Sequence, residues 1–308
     1  MKFGVCLPNN WGLEDVQAIF LLAVRAEELG FDSVWVSEHV FNVSYVYERI
    51  GSKPYYEPLT ILSYVAAMTK RVALGTSVLV LPYHNPIRLA KVAATLDVMS
   101  AGRLNLGVGV GVIPQELDVM GSPFAERGAI TDEAIAVMKT LWTQEDPQFE
   151  GRYHRFSGMK FSPKPLQQPH IPLLIGGVSR AAIRRAARVG NGWHPNGLAP
   201  QELAQKMDEL RAQAQAVGRN ASEISISVRL DMGTPRAARG GTTESRYSLG
   251  TDPAEVVDKI NAFAGIGVAE LIISPTTENP ADIQRAMETV AQVAIPAAQK
   301  SGPGTVTG

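Results

Sequence analysis

The sequence predicts an α/β fold, a (β/α)8 barrel with insertion segments, and three observations carry that expectation. Short apolar runs alternate with helix-period segments from end to end, the pattern of a parallel sheet. The alternation can be counted eight times in 308 residues, and about 250 residues is the usual core of such a barrel. The count stops at eight. A doubly wound open sheet, the alternative, needs fewer strands and gives no reason for that number.

The elements follow in order. "KFGVCLP" reads as the first strand, and Val16, Ile19, Phe20 and Ala23 then keep helical spacing up to Gly30, where a C-cap belongs. "DSVWVS" is the second strand and residues 57–69 the second helix, with Leu59, Leu62 and Ala66 on one face. "RVALGTSVLV" and residues 86–100 form the third unit; "RLNLGVGVG" and residues 126–143 form the fourth. "PLLIG" leads into a helix at 179–189, "GNGWH" into one at 200–217. "EISISVRL" is the seventh strand, followed by a helix for which Asp252 is the N-cap, Pro253 the first residue and Glu255 the capping-box acid. "VAELIIS" and residues 280–297 complete the eighth unit. We expect one domain over 1–297, insertions near 40–56, 144–170 (hairpin-like) and 231–251, and a disordered tail at 298–308.

Composition narrows the function. Hydrophobic content of 45%, charged content of 19% and a net charge of −1 are ordinary for a globular protein and favour neither nucleic acid nor an anionic membrane. The single cysteine, Cys6, has no internal partner, which fits a reducing, cytoplasmic setting. "MKFGVCLPNN" has too short an apolar run for a signal peptide, and no run of about 18 apolar residues suggests a membrane span.

In a barrel of this kind chemistry sits where the strands end. Strand two ends in Ser37-Glu38-His39, an acid beside an imidazole. Neighbours on a strand face opposite ways, so one faces the pocket while the other props a loop. The run "LLIGGVSR" is more informative: Gly176 and Gly177 allow close backbone approach, Ser179 opens a helix, and Arg180 puts a cation in its first turn. That combination suits a phosphate. "GVGVG" at 107–111 misses the dinucleotide fingerprint, because Val112 stands where its third glycine belongs; the glycines are expected to let a flat ligand lie against the mouth. Metal catalysis is not expected: His39, His84 and His194 fall at strand ends, but the five histidines are scattered without paired spacing.

In this order, "AEELGFDSVWVSEHV", "RVALGTSVLVLPYHNPIRLAKVAATLDVMSAGRLNLGVGVG", "AIAVMKTLW", "IPLLIGG" and "ARVGNGW" resemble the bacterial luciferase-like monooxygenase superfamily, in its branch using the deazaflavin coenzyme F420. The resemblance runs from Met1 to about residue 295 and implies roles by position. His39 resembles the active-site histidine beside the deazaflavin ring, and Glu38 a ring or tail contact with a part in catalysis. "GTSVL" resembles a segment with a non-proline cis peptide under the ring, here Ser77–Val78, with Val80, Gly109 and Gln115 as further contacts. Gly176, Gly177, Ser179 and Arg180 match the phosphate segment. Two departures count against a sugar-phosphate substrate: Val112 stands where related dehydrogenases carry a glutamate proton donor, and Leu198 where a basic phosphate contact would lie. Glu116 and Tyr83 are the remaining donor candidates. The expectation is an F420-dependent oxidoreductase moving hydride to or from a small organic substrate, with no metal and a possible homodimer. An FMN-dependent monooxygenase is the alternative; a non-catalytic deazaflavin-binding protein is the alternative from another class.

Overall fold

The computed structural model describes residues 1–236 and 246–294. Along the chain, β1 (Lys2–Cys6) leads to α1 (Val16–Glu28), β2 (Ser33–Val36), α2 (Tyr45–Ile50) and α3 (Pro58–Met68). Next come β3 (Ala73–Thr76), β4 (Leu79–Val80), α4 (Pro86–Met99), β5 (Leu104–Gly109), α5 (Pro114–Val119) and α6 (Arg127–Thr143). A hairpin of β6 (Phe149–Glu150) and β7 (Arg155–Phe156) precedes β8 (Leu173–Gly176), α7 (Arg180–Val189), β9 (Gly192–His194) and α8 (Pro200–Ala216). The chain closes with β10 (Ser225–Met232), α9 (Pro253–Gly265), β11 (Glu270–Pro275) and α10 (Pro280–Val293).

The sheet is a closed parallel barrel of eight strands, in the order β1-β2-β3-β5-β8-β9-β10-β11 and back to β1. β4 continues β3 along β5 after a cis peptide at Ser77–Val78. Local chemistry sets the boundaries. Asp15, Glu57, Asn85 and Asp252 cap α1, α3, α4 and α9 through side-chain acceptors, satisfying amide groups that the first helical turn leaves open. Gly30 ends α1 at φ +87°, a conformation that suits glycine.

Two short helices, α2 and α5, lie in stretches where the sequence shows no helical period; six residues are too few to display one. The insertion at 144–170 holds the expected hairpin, with Phe149 stacked on Phe156. The insertion at 231–251 begins later than expected, because β10 runs on through Met232 with Asp231 paired to Ser274. The rest of that insertion at 237–245, and the tail, lie outside the described residues. Among the described residues no helix is long and apolar enough to cross a membrane.

Inside the barrel, Cys6, Trp35, Leu174 and Ile272 form an apolar plug from four strands. Glycines make it possible: a Cβ on Gly75 would stand 2.2 Å from the Trp35 ring, and one on Gly4 2.7 Å from its Nε1. The "GVGVG" glycines, expected to face a flat ligand, also serve packing. A Cβ on Gly107 would lie 1.9 Å from the Thr76 carbonyl oxygen, one on Gly109 2.8 Å from Val78, and one on Gly111 2.8 Å from Val80. They let β3 and β4 cross β5 closely. Gly107→Ala must therefore displace backbone, and we expect it to lower stability by about 3 kcal/mol in urea denaturation. A change below about 0.5 kcal/mol, the range of a neutral surface substitution, would contradict this packing.

Candidate active site at the barrel mouth

Above the Trp35 plug lies a polar layer built on Arg229 of β10. Its guanidinium is 6% exposed and donates to Ser37 Oγ (2.9 Å), to the Ser77 carbonyl (3.0 Å) and to Ser274 Oγ (2.9 Å). His194 stacks on Trp35 and sits between Ser77 Oγ and Ser227 Oγ, each 2.8 Å from a ring nitrogen. Burial and the nearby Arg229 hold its pKa down to about 3, so it is a neutral hydrogen-bonding group near neutral pH. Ser77 and Val78 are only half buried and form the open part of this floor.

A second centre stands beside it on α5. The Glu116 carboxylate is 1% exposed and receives four donors. Oε1 accepts from the amides of Val40 (2.8 Å) and Phe41 (2.9 Å); Oε2 accepts from the Tyr83 hydroxyl (2.8 Å) and lies 2.6 Å from His39 Nδ1. Burial alone would raise its pKa, but the His39 and Phe41 hydrogen bonds, the His39 charge and Tyr83 outweigh it and hold the carboxyl below its usual range. Burial and Glu116 push the Tyr83 phenol upward. Glu116 and Tyr83, the donor candidates from the sequence, are both buried and bonded to each other, away from the open surface. The other His39 nitrogen, Nε2, lies 2.6 Å from the Tyr45 hydroxyl.

Glu38 lies elsewhere than expected. It is 6% exposed, accepts from the Val80 amide (2.6 Å) and binds His84 Nε2 (2.8 Å). Its carboxylate is used up in holding β4 and the turn after it, which removes it from the reactive surface. Val80 is likewise buried, packed with Tyr83 and Leu117. Gly176 meets protein rather than open space: a Cβ there would stand 2.7 Å from Val78.

What stays open is the loop from Gly177 to Arg180, exposed throughout. Gly177 has φ +101°, which a side chain would strain, and Trp193 Nε1 fixes its carbonyl at 2.8 Å. Ser179 caps α7 through the Ala182 amide. This cradle fits a phosphate group: a positive-φ glycine beside the N-terminus of a ten-residue helix. The Arg180 side chain is 80% exposed and leans toward Glu209 at 3.7 Å. Gln115 is exposed on α5 next to Glu116.

A family model described as luciferase-like monooxygenase matches residues 1–234. The chain belongs to this family. Luciferase-like proteins are oxidoreductases and monooxygenases, and both deazaflavin- and flavin-dependent relatives match the chain. It is 32% identical over 231 residues to the F420-dependent glucose-6-phosphate dehydrogenase of Amycolatopsis mediterranei, covering 73% of this chain and 67% of that one. It is 30% identical over 262 residues to the FMNH(2)-dependent dimethylsulfone monooxygenase of Pseudomonas putida, covering 84% of this chain and 67% of that one. The solved structure of monooxygenase RslO1 from Streptomyces bottropensis superposes with a TM-score of 0.76 at 26% identity, covering 97% of this chain and 100% of that one.

Sequence reasoning missed Arg229, Ser227, Ser274 and Tyr45. Arg229 carried a signal, as a cation inside the otherwise apolar strand "ISVRL". The serines carried none, since single hydroxyls on strands are common.

The Glu38–His84 pair gives a pH test. Burial works against the charged imidazole, but the Glu38 hydrogen bond and charge prevail and raise the His84 pKa. A raised histidine contributes stability that is full below its ordinary pKa of about 6.5 and fades as pH rises through the elevated value. Glu38→Gln should lower stability by about 1–3 kcal/mol near pH 6 and by clearly less near pH 9 in thermal melts. An equal loss at both pH values would remove the charge from the account.

Proposed function

We propose that this luciferase-like protein binds a deazaflavin of the F420 type across the barrel mouth and moves hydride to or from a small organic substrate. The observation that carries the reading is the adjacency of two open features. The half-buried Ser77–Val78 floor lies against Gly176, and the exposed Gly177–Ser179 cradle follows directly. A ring over the first places a phosphate-bearing tail at the second. When bound, the deazaflavin supplies the carbon that gives or takes hydride.

The chain's own residues do the rest. Ser77 and Val78 support one face of the ring. The Gly177 backbone and the start of α7 take the phosphate. Glu116 fixes the segment that leaves β2 and holds His39 beside the mouth, where the imidazole can take up a proton. The rim selects the substrate. Val40 (48% exposed), Phe41 (41%), Val112 (51%) and Val178 (37%) present apolar surface from the loops after β2, β5 and β8. That surface supports an apolar organic substrate and argues against a sugar phosphate. The dimethylsulfone monooxygenase relative supports a second reading, in which the same cradle holds FMN.

Titration of the purified protein decides between them. We expect the deazaflavin to bind at least about tenfold more tightly than FMN, the equivalent of roughly 1.4 kcal/mol. Tighter FMN binding would move the protein to the monooxygenase reading. Gly177→Val should weaken deazaflavin binding by about tenfold or more, while Arg180→Ala leaves it within about twofold. Unchanged affinity in Gly177→Val would place the phosphate elsewhere.

A further inference from the structure

Both ring nitrogens of His39 are engaged inside the protein. Nδ1 faces Glu116 Oε2 and Nε2 faces the Tyr45 hydroxyl, each at 2.6 Å. The Glu116 carboxylate can only accept, so the proton on the neutral ring sits at Nδ1. Nε2 then presents a lone pair, and the Tyr45 hydroxyl donates to it. The Tyr45 and Tyr55 rings stand edge-on to the imidazole, at 5.4 and 5.7 Å. The His39 side chain is 8% exposed, and the Tyr45 hydroxyl covers its Nε2. The imidazole therefore meets its surroundings through the hydroxyl of Tyr45 rather than through a ring nitrogen.

We infer that Glu116, His39 and Tyr45 form a carboxylate–imidazole–phenol relay, with Tyr45 as the catalytic group that exchanges the proton with the substrate. His39 acts behind it, and Glu116 is the positioning residue that fixes the ring tautomer. The logic is that of a serine–histidine–aspartate triad with a phenol at its end.

In the oxidising direction an X–H bond of the substrate breaks and its proton joins Tyr45 Oη. The proton already on Tyr45 moves to His39 Nε2. The product is an imidazolium held against the Glu116 carboxylate, and Tyr45 ends neutral. Two protons move, one proton passes net from substrate to His39, and charge is conserved. The two electrons leave the substrate with the hydride that the deazaflavin accepts, so this coupling rests on the proposed function. In the reducing direction each transfer reverses. The relay itself needs no cofactor to be tested.

The test is nitrogen-15 NMR of cofactor-free protein labelled at histidine, with His39 assigned from its absence in His39→Gln. At a pH high enough for the ring to be neutral, the wild-type spectrum should show the Nδ1–H tautomer with Nε2 as a hydrogen-bonded acceptor. In Glu116→Gln, whose side-chain amide can donate to Nδ1, the proton should move to Nε2. Tyr45→Phe should keep the wild-type tautomer but slow proton exchange between His39 and solvent by about tenfold or more, since a phenyl ring caps Nε2 without relaying. Tyr47→Phe, at an exposed neighbouring position, should leave both readings unchanged. A wild-type proton on Nε2, or an unchanged or faster exchange in Tyr45→Phe, would overturn the relay. A merely structural Tyr45 gives that faster exchange, because the loop loosens. Separate deazaflavin titration keeps the two ideas apart: the relay can hold where cofactor binding fails, and the reverse.

Discussion

A single buried carboxylate organises the mouth of this barrel. Glu116 is almost wholly removed from water and would be strongly disfavoured there as an isolated charge. Four donors offset that: two backbone amides, a phenol and an imidazole. Each comes from a segment that would otherwise be loose. The amides belong to the chain leaving β2, the phenol to the turn after β4, and the carboxylate itself to α5. Removing any one donor leaves a lone pair of a buried charge unsatisfied, so these three segments are held in place together. The depressed pKa of Glu116 is the thermodynamic face of the same fact.

The floor beneath works by the same rule with opposite charge. Arg229 is a buried cation whose donors reach hydroxyl and carbonyl oxygens just after β2, on β11 and at the β3–β4 junction. His194, kept neutral beside it, adds no competing charge. Between the anion hub and the cation floor, most polar side chains around the mouth have protein partners, Ser77 Oγ among them. The half-buried Ser77–Val78 segment and the exposed Gly177 loop lie side by side there. The hydrogen-bonded parts hold the shape of the mouth, and a short strip between them is left uncovered.

The barrel was legible in the sequence because its signals repeat. Eight apolar strands each followed by a helical period leave few alternatives, and caps such as Asp252 marked boundaries that the structure keeps. The short helices α2 and α5 were not legible, since six residues are too few to display a helical period. The packing role of the glycines was not legible for a related reason. A glycine that admits a ligand and one that admits a neighbouring strand look alike in sequence, and Gly107, Gly109 and Gly176 all give room to neighbouring protein atoms. The Glu38–His39 pair was half legible. Alternation correctly separated the two side chains, but both reach protein partners, Glu38 toward His84 and His39 toward Glu116. Arg180 shows the limit of charge reasoning: its place in the first turn of α7 says nothing about where an exposed side chain leans.

The role of Glu116 as the anchor of the mouth can be measured directly by amide hydrogen exchange. The amides of Val40 and Phe41 lie in a segment without regular secondary structure, and Glu116 Oε1 is the acceptor that holds them. The account predicts strong protection at both amides in the wild type. In Glu116→Ala that protection is lost, while the amides of β1, β5 and β11 keep theirs. Weak protection of Val40 and Phe41 in the wild type, or retained protection in Glu116→Ala, would contradict it.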